Sequence, residues 1–209
     1  MAGRQLIYFA DPMCSWCWGF APVIEAVRER WGEALPVRLV LGGLRPGTTE
    51  PMTAEAKTTL AGHWTHVTEA SGQPFTDGGM AAPDFVYDTD PAARAVVVAR
   101  RAGMDVALRF LHDAQRAFYA EGRDVTRTET LAALAEGLGL EPVRFAEDLA
   151  GEAAKEETWR DYAVSRGAGV TGFPTLIAGP QADGTYLAVT RGFQPAASVL
   201  PHIEAWMAA

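Results

Sequence analysis

Cys14 and Cys17 are the two cysteines of a 209-residue chain. They stand two residues apart in Asp11-Pro12-Met13-Cys14-Ser15-Trp16-Cys17-Trp18-Gly19-Phe20. A pair at this spacing can exchange disulfides. A thiolate at the first sulfur attacks a disulfide and forms a mixed disulfide, and the second sulfur attacks that bond and releases the product. The same spacing also makes half of many zinc sites, for which His63 and His66, His112 or His202 would have to complete the set. A purely structural bridge is the weakest alternative, because closing so small a loop removes little chain entropy. Two cysteines build no disulfide framework, and in a reducing compartment a close pair points to catalysis or metal rather than stapling. Taken alone, the motif leaves redox and metal chemistry open.

The flanking residues say how the sulfurs are held. Gln5-Leu6-Ile7-Tyr8-Phe9-Ala10 reads as a buried strand closed by Asp11-Pro12. Phe20, Val23, Ile24, Val27 and Trp31 recur at helical spacing, so a helix is expected over about 15–31 with Gly32 as its stop. Cys14 then lies at the helix N-terminus, where free backbone N–H groups and the helix dipole favour a thiolate. Cys17 follows one turn later. Trp16 and Trp18 are candidates for an apolar rim that meets substrate, with packing on the helix as the equal alternative for each. Asp11, beside a proline, reads as a turn residue.

Pro36 to Leu41 is a second strand, stopped by Gly42-Gly43, and completes a βαβ unit. From Thr53 to Arg166 the pattern is helical. Leu60, Trp64 and Val67 mark one helix, and Asp90-Pro91 opens another as N-cap and N1. Ala107, Phe110, Leu111, Ala114 and Phe118 stripe a third. Thr126 and Glu129 have capping-box spacing ahead of Leu131, Leu134 and Leu138. A short piece from Pro142 to Leu149 precedes a last long helix, Glu152 to Arg166, with Trp159 and Tyr162 as inward anchors. Strands then return at Phe173–Ala178 and Tyr186–Thr190 around a turn at 181–184, followed by a helix from Pro195 to about Met207.

The order βαβ, helical block, ββα describes an α/β sheet unit, residues 1–50 and 151–209, interrupted by a helical insertion over 51–150. Gly169-Val170-Thr171-Gly172-Phe173-Pro174-Thr175 enters the third strand. Pro174 either begins that strand in trans or, in cis, exposes the backbone of Phe173 to an extended substrate.

Composition narrows the partners. A formal net charge of −8 argues against nucleic acid or an anionic membrane, since phosphate binding needs a basic face. No stretch approaches the roughly 20 apolar residues of a membrane span. Met1-Ala2-Gly3-Arg4 leads into the first strand without a secretory h-region, so a cytoplasmic protein is expected. Arg94, Arg116 and Arg123 are expected to pair with carboxylates inside the helical block.

The combination resembles the DsbA-like branch of the thioredoxin superfamily. More narrowly, Asp11 to Phe20, Tyr87 to Ala95, Gln115 to Tyr119 with Glu121 to Asp124, and Gly172 to Leu176 are similar to the cytoplasmic FrnE-like, predicted disulfide-isomerase group. The resemblance implies a thioredoxin fold with an inserted helical domain. It also implies thiol–disulfide oxidoreductase or isomerase activity on protein or small-thiol disulfides. By it, Cys14 is the attacking thiol, Cys17 the resolving thiol, Pro174 a cis-proline, and Phe173 the backbone that pairs with substrate. Many superfamily members carry a buried carboxylate six residues before the first cysteine, where this chain has Tyr8. Ser15-Trp16 between the sulfurs leaves the redox poise open. No tightly bound cofactor or metal is expected beyond the Cys14–Cys17 disulfide itself, with glutathione as a candidate reductant or co-substrate. The oligomeric state, monomer or homodimer, stays open. One alternative is a glutathione-dependent transferase or isomerase of the kappa-class and hydroxychromene-carboxylate type, whose members usually place serine at the first cysteine. The other is a non-enzymatic zinc-holding or partner-docking module.

Overall fold

The computed structural model describes residues 3–208; Met1 and Ala2, part of the segment taken to lead into the first strand, lie outside them. Four strands, β1 (Gln5–Ala10), β2 (Val37–Leu41), β3 (Thr175–Gly179) and β4 (Leu187–Arg191), form one sheet in the order β2-β1-β3-β4. β1 pairs parallel with β2 and antiparallel with β3, which pairs antiparallel with β4. α1 (Ser15–Trp31) makes the crossover between the parallel strands. Alternation along β1 and β3 puts Leu6, Tyr8, Ala10, Leu176 and Ala178 on one face. There Tyr8 meets Phe20 of α1 with ring centroids 5.9 Å apart. Phe20 is fully buried, and burying a side chain of that size contributes about 2–3 kcal/mol.

Between β2 and β3 run six α-helices: α2 (Ala54–Ser71), α3 (Asp90–Arg100), α4 (Met104–Tyr119), α5 (Thr128–Gly137), α6 (Pro142–Ala150) and α7 (Glu152–Gly167). α8 (Ala196–Ala208) closes the chain. The helical block is not detached from the sheet unit: α2 and α4 pack on α1, and α4 and α7 on β2. The stripe expected on α4 is buried throughout, from Ala107 to Phe118. α2 is capped by Thr53, whose hydroxyl accepts from the N–H of Ala56 at 3.1 Å.

Three local expectations need correction. Asp90 is not the cap of α3 but its first residue; Thr89 takes the cap position without a side-chain bond, because its hydroxyl accepts from the N–H of Arg45. Asp90 instead pairs with Arg94 and accepts from the Tyr162 hydroxyl at 3.2 Å. The Thr126–Glu129 capping box does not form. Asp124 Oδ1 accepts from both the Thr126 N–H at 2.9 Å and its hydroxyl at 2.6 Å, and Arg127 becomes the cap. Trp159 is not an inward anchor, being half exposed. The buried stripe of α7 runs Ala154, Thr158, Tyr162, Ser165, and Trp159 lies one position off it.

α1 contains Pro22, which has no N–H to donate to the carbonyl four residues back. That carbonyl belongs to Trp18, and the Gln73 side-chain amide donates to it at 3.2 Å. The segment after α2 thereby clasps the first turns of α1. Gly19 lets α2 come close: a Cβ there would lie 3.0 Å from Val67 Cγ1.

Candidate functional site

Cys14 is the N-cap of α1, in an extended conformation with φ −95° and ψ 114°. Its carbonyl accepts from the N–H groups of Cys17 and Trp18 at 3.0 and 3.1 Å, so the sulfur is held at the helix N-terminus, where a negative charge is stabilised. The Phe173–Pro174 peptide is cis. It faces Cys14 across the site, with the thiol donating to the Phe173 carbonyl at 3.6 Å. Cys14 is 6% exposed and Cys17 0%, giving an outer and an inner sulfur. Burial pushes the Cys17 thiol well up, and the neighbouring Cys14 adds to the rise.

The turn before the helix is rigid because Asp11 is inside it. This carboxylate is fully buried, and its two oxygens accept from the N–H of Met13 at 2.9 Å and of Leu44 at 2.8 Å. The turn role matches expectation, while the burial was not legible. Desolvation raises the Asp11 carboxyl to about 6 against the opposing backbone hydrogen bonds. The Tyr87 hydroxyl donates to the Met13 carbonyl and lies 3.4 Å from that of Tyr119. Both tyrosines belong to motifs noted in the sequence, yet nothing there showed that they brace the cysteine turn. In the sequence Gly42 reads only as a strand stop. In fact the Phe173 ring is seated on it, so close that a Cβ would fall 2.1 Å from Cζ.

The two tryptophans part company. Trp18 is 3% exposed; its indole N–H donates to the Pro74 carbonyl at 3.0 Å, and its ring packs near His112. It is therefore a packing residue and not a rim, because its position on α1 faces the end of α2. Trp16 is half-buried and rests on Phe193, with centroids 5.6 Å apart. Phe193 follows Gly192, whose N–H donates to the Pro174 carbonyl at 2.7 Å, so Trp16 lies on the proline side of the site. A recess of about 410 Å³ opens beside Phe173, lined by Val170, Thr171, Gly172 and Arg191.

Arg94 pairs with Asp90, and Arg116 and Arg123 both pair with Glu121, as the sequence suggested. Among the described residues no three His, Cys, Asp or Glu side chains gather where one metal ion could be shared, and no helix is long and apolar enough to cross a membrane.

A four-stranded βαβ–ββα sheet, with a C-x-x-C at the head of its first helix and a cis-proline turn opposite, defines a thioredoxin fold carrying a long helical insertion. The chain belongs to the DSBA-like thioredoxin domain family, whose model matches residues 5–192. It superposes on a Nitrosomonas europaea structure described as a proposed protein disulfide isomerase, with TM-score 0.89, 34% identity and coverage of 99% of this chain and 98% of that one. It superposes also on the cytosolic disulfide reductase DsbM of Pseudomonas aeruginosa, with TM-score 0.79, 29% identity and coverage of 98% and 100%; DsbM has in addition been solved with GSH. Among curated relatives, the ClpXP adapter protein SpxH of Halalkalibacterium halodurans is 24% identical over 177 residues, 83% of this chain. The chain spans 58% of that relative's length.

Proposed function

We propose that this chain is a cytoplasmic thiol–disulfide oxidoreductase acting on protein or small-molecule disulfides through Cys14 and Cys17. The observation that carries this reading is the placement of Cys14 Sγ at the head of α1 against the Phe173 carbonyl beside the cis-proline, with Cys17 enclosed one turn behind. Cys14, as thiolate, attacks one sulfur of a substrate disulfide; a new S–S bond forms to Cys14 and the other substrate sulfur leaves as a thiolate. Cys17 then loses its proton and attacks Cys14 Sγ. This forms the Cys14–Cys17 disulfide and releases the second substrate sulfur, two electrons having passed to the substrate. The reverse sequence oxidises a dithiol. An extended substrate would lie along Phe173 and Pro174, with Trp16 and the recess of Gly172 and Arg191 flanking it. Glutathione is the proposed reductant of the resulting disulfide, a reading supported by DsbM, which has been solved with it. Retention of both cysteines weighs against the single-residue glutathione transferase chemistry.

The test is insulin reduction. Reduced wild-type protein is expected to precipitate insulin B chain with dithiothreitol as donor, and Cys14→Ser to abolish the effect. With dithiothreitol removed, reduced Cys17→Ser is expected to accumulate a mixed disulfide with substrate that resolves only on added thiol. A second reading comes from the relatives described as ClpXP adapters, in which the domain docks a partner without redox chemistry. On that reading insulin would precipitate no faster with wild type or with either variant than with dithiothreitol alone.

A further inference from the structure

Cys17 must become an anion to attack Cys14, and its surroundings oppose that charge. The residue is 0% exposed. Burial, the Cys14 sulfur and the Asp11 carboxylate all disfavour a thiolate there, with only the backbone of Asp11 acting the other way. A donor aimed at this sulfur would matter most at the moment of attack.

Tyr8 is placed to be that donor. It lies on the face of β1 that covers α1, where its ring meets Phe20 with centroids 5.9 Å apart. Cys17 stands three residues before Phe20, on the same face of the helix and one turn nearer its N-terminus. The Cys17 thiol is accordingly the polar neighbour of the Tyr8 hydroxyl. Tyr8 is 1% exposed, and with both cysteines free its hydroxyl makes no hydrogen bond of good geometry. A neutral thiol is a weak acceptor, whereas a thiolate is a strong one. The hydroxyl is therefore poorly satisfied in the resting dithiol and best satisfied when Cys17 carries charge. Burial and the two sulfurs hold the phenol well above its ordinary range, so it keeps its proton and acts as a donor, not as a base.

We propose that Tyr8 is a catalytic residue of the resolving step, donating a hydrogen bond to Cys17 Sγ as that sulfur loses its proton and attacks Cys14 Sγ. The inference rests on the dithiol reading above. The Cys14–Cys17 bond forms, the bond from Cys14 to the substrate sulfur breaks, and that sulfur leaves with the electron pair and takes up a proton. Tyr8 retains its own proton throughout. Because a disulfide sulfur is again a weak acceptor, the strong bond exists only between the two end states, and it speeds resolution without shifting the redox equilibrium.

Stopped-flow reaction of the reduced full-length protein with dithiobis-nitrobenzoate separates the steps. The first thionitrobenzoate released reports attack by Cys14, at a rate that scales with reagent; the second reports attack by Cys17, at a rate that does not. Tyr8→Phe, which removes one oxygen and keeps the ring, is expected to leave the first phase within about twofold and to slow the second at least about tenfold, as for loss of a hydrogen bond to a charged group. Its equilibrium with glutathione should stay within about twofold of wild type. A ring-fluorinated tyrosine at position 8, a stronger donor of nearly the same size, is expected to speed the second phase about twofold. An unchanged second phase, two phases slowed alike, or an equilibrium shifted as far as the rate would each overturn the proposal while leaving the dithiol reading intact. Wild-type protein that releases only the first thionitrobenzoate would overturn the resolving role of Cys17, and the role of Tyr8 with it.

Discussion

The side-chain amide of Gln73 takes over the carbonyl of Trp18 that Pro22 leaves without its helical partner. The helix that carries both sulfurs of the C-x-x-C is thereby repaired from outside by the loop after α2. Gln73→Ala is expected to cost about 1–3 kcal/mol, the penalty for an unpaired buried carbonyl. Pro22→Ala restores an N–H at the right place, so the Gln73→Ala cost should fall by at least half in that background. Urea denaturation of the four members of this cycle measures the coupling; strictly additive costs would remove Gln73 from this role.

Gly42 is the seat of the Phe173 ring. Gly42→Ala places a methyl about where ring atoms now lie, 2.1 Å from Cζ, and overpacking of this kind costs about 1–3 kcal/mol. Because Phe173 carries the carbonyl facing Cys14, the variant should also lose catalytic efficiency on insulin, by about tenfold, while folding at reduced Tm. A variant with wild-type turnover would show that the ring does not position the substrate face.

Trp16 and Trp18 should separate cleanly. Trp18→Ala removes a fully packed indole and is expected to lose about 3–5 kcal/mol of stability. Trp18→Phe, which loses the hydrogen bond to Pro74 and part of the ring volume, is expected to lose about 1–3 kcal/mol. Trp16→Ala should change stability by less than either and raise KM for a peptide disulfide several-fold. Equal stability losses for Trp16→Ala and Trp18→Ala would contradict the packing described.

Asp11 makes stability depend on pH. Its carboxyl titrates at about 6 in the folded protein against 3.8 as the ordinary value. Between those limits the folded state holds a proton that the unfolded chain has released, so the Asp11 contribution to stability falls as pH rises from about 4 to 6. Asparagine cannot titrate. The penalty of Asp11→Asn should therefore be larger at pH 4 than at pH 7, by on the order of 3 kcal/mol for a shift of this size. Chemical denaturation of both proteins at the two pH values tests it; a penalty independent of pH would contradict the burial effect.

How legible this was in the sequence depended on whether the governing contact was local. The strand, the helix stop at Gly32 and the α4 stripe follow from periodicity and glycine placement, and they match within a residue or two. The capping box failed for a local reason of another kind: Asp124 competes for Thr126 at shorter range than Glu129 does. Trp159 was misplaced because its size suggested burial, while the α7 stripe set by Ala154, Thr158 and Tyr162 decides which face turns inward. At the site, Cys14, Cys17 and Pro174 were readable from spacing and resemblance together. Gly42 under Phe173, Leu44 on Asp11 and Gln73 on Trp18 were not, since each joins residues more than thirty positions apart that no pattern links.

The antiparallel pairing of β1 with β3 sets the timing of the protein's birth. The wall facing Cys14 comes 159 positions later in the chain. At a synthesis rate of about 5–20 residues per second, it leaves the ribosome some 8–30 seconds after the cysteines do. Throughout that interval the nascent chain carries two thiols without the Phe173 carbonyl that faces Cys14 in the folded protein. Until β3 inserts beside β1, the fold itself offers those thiols nothing on that side.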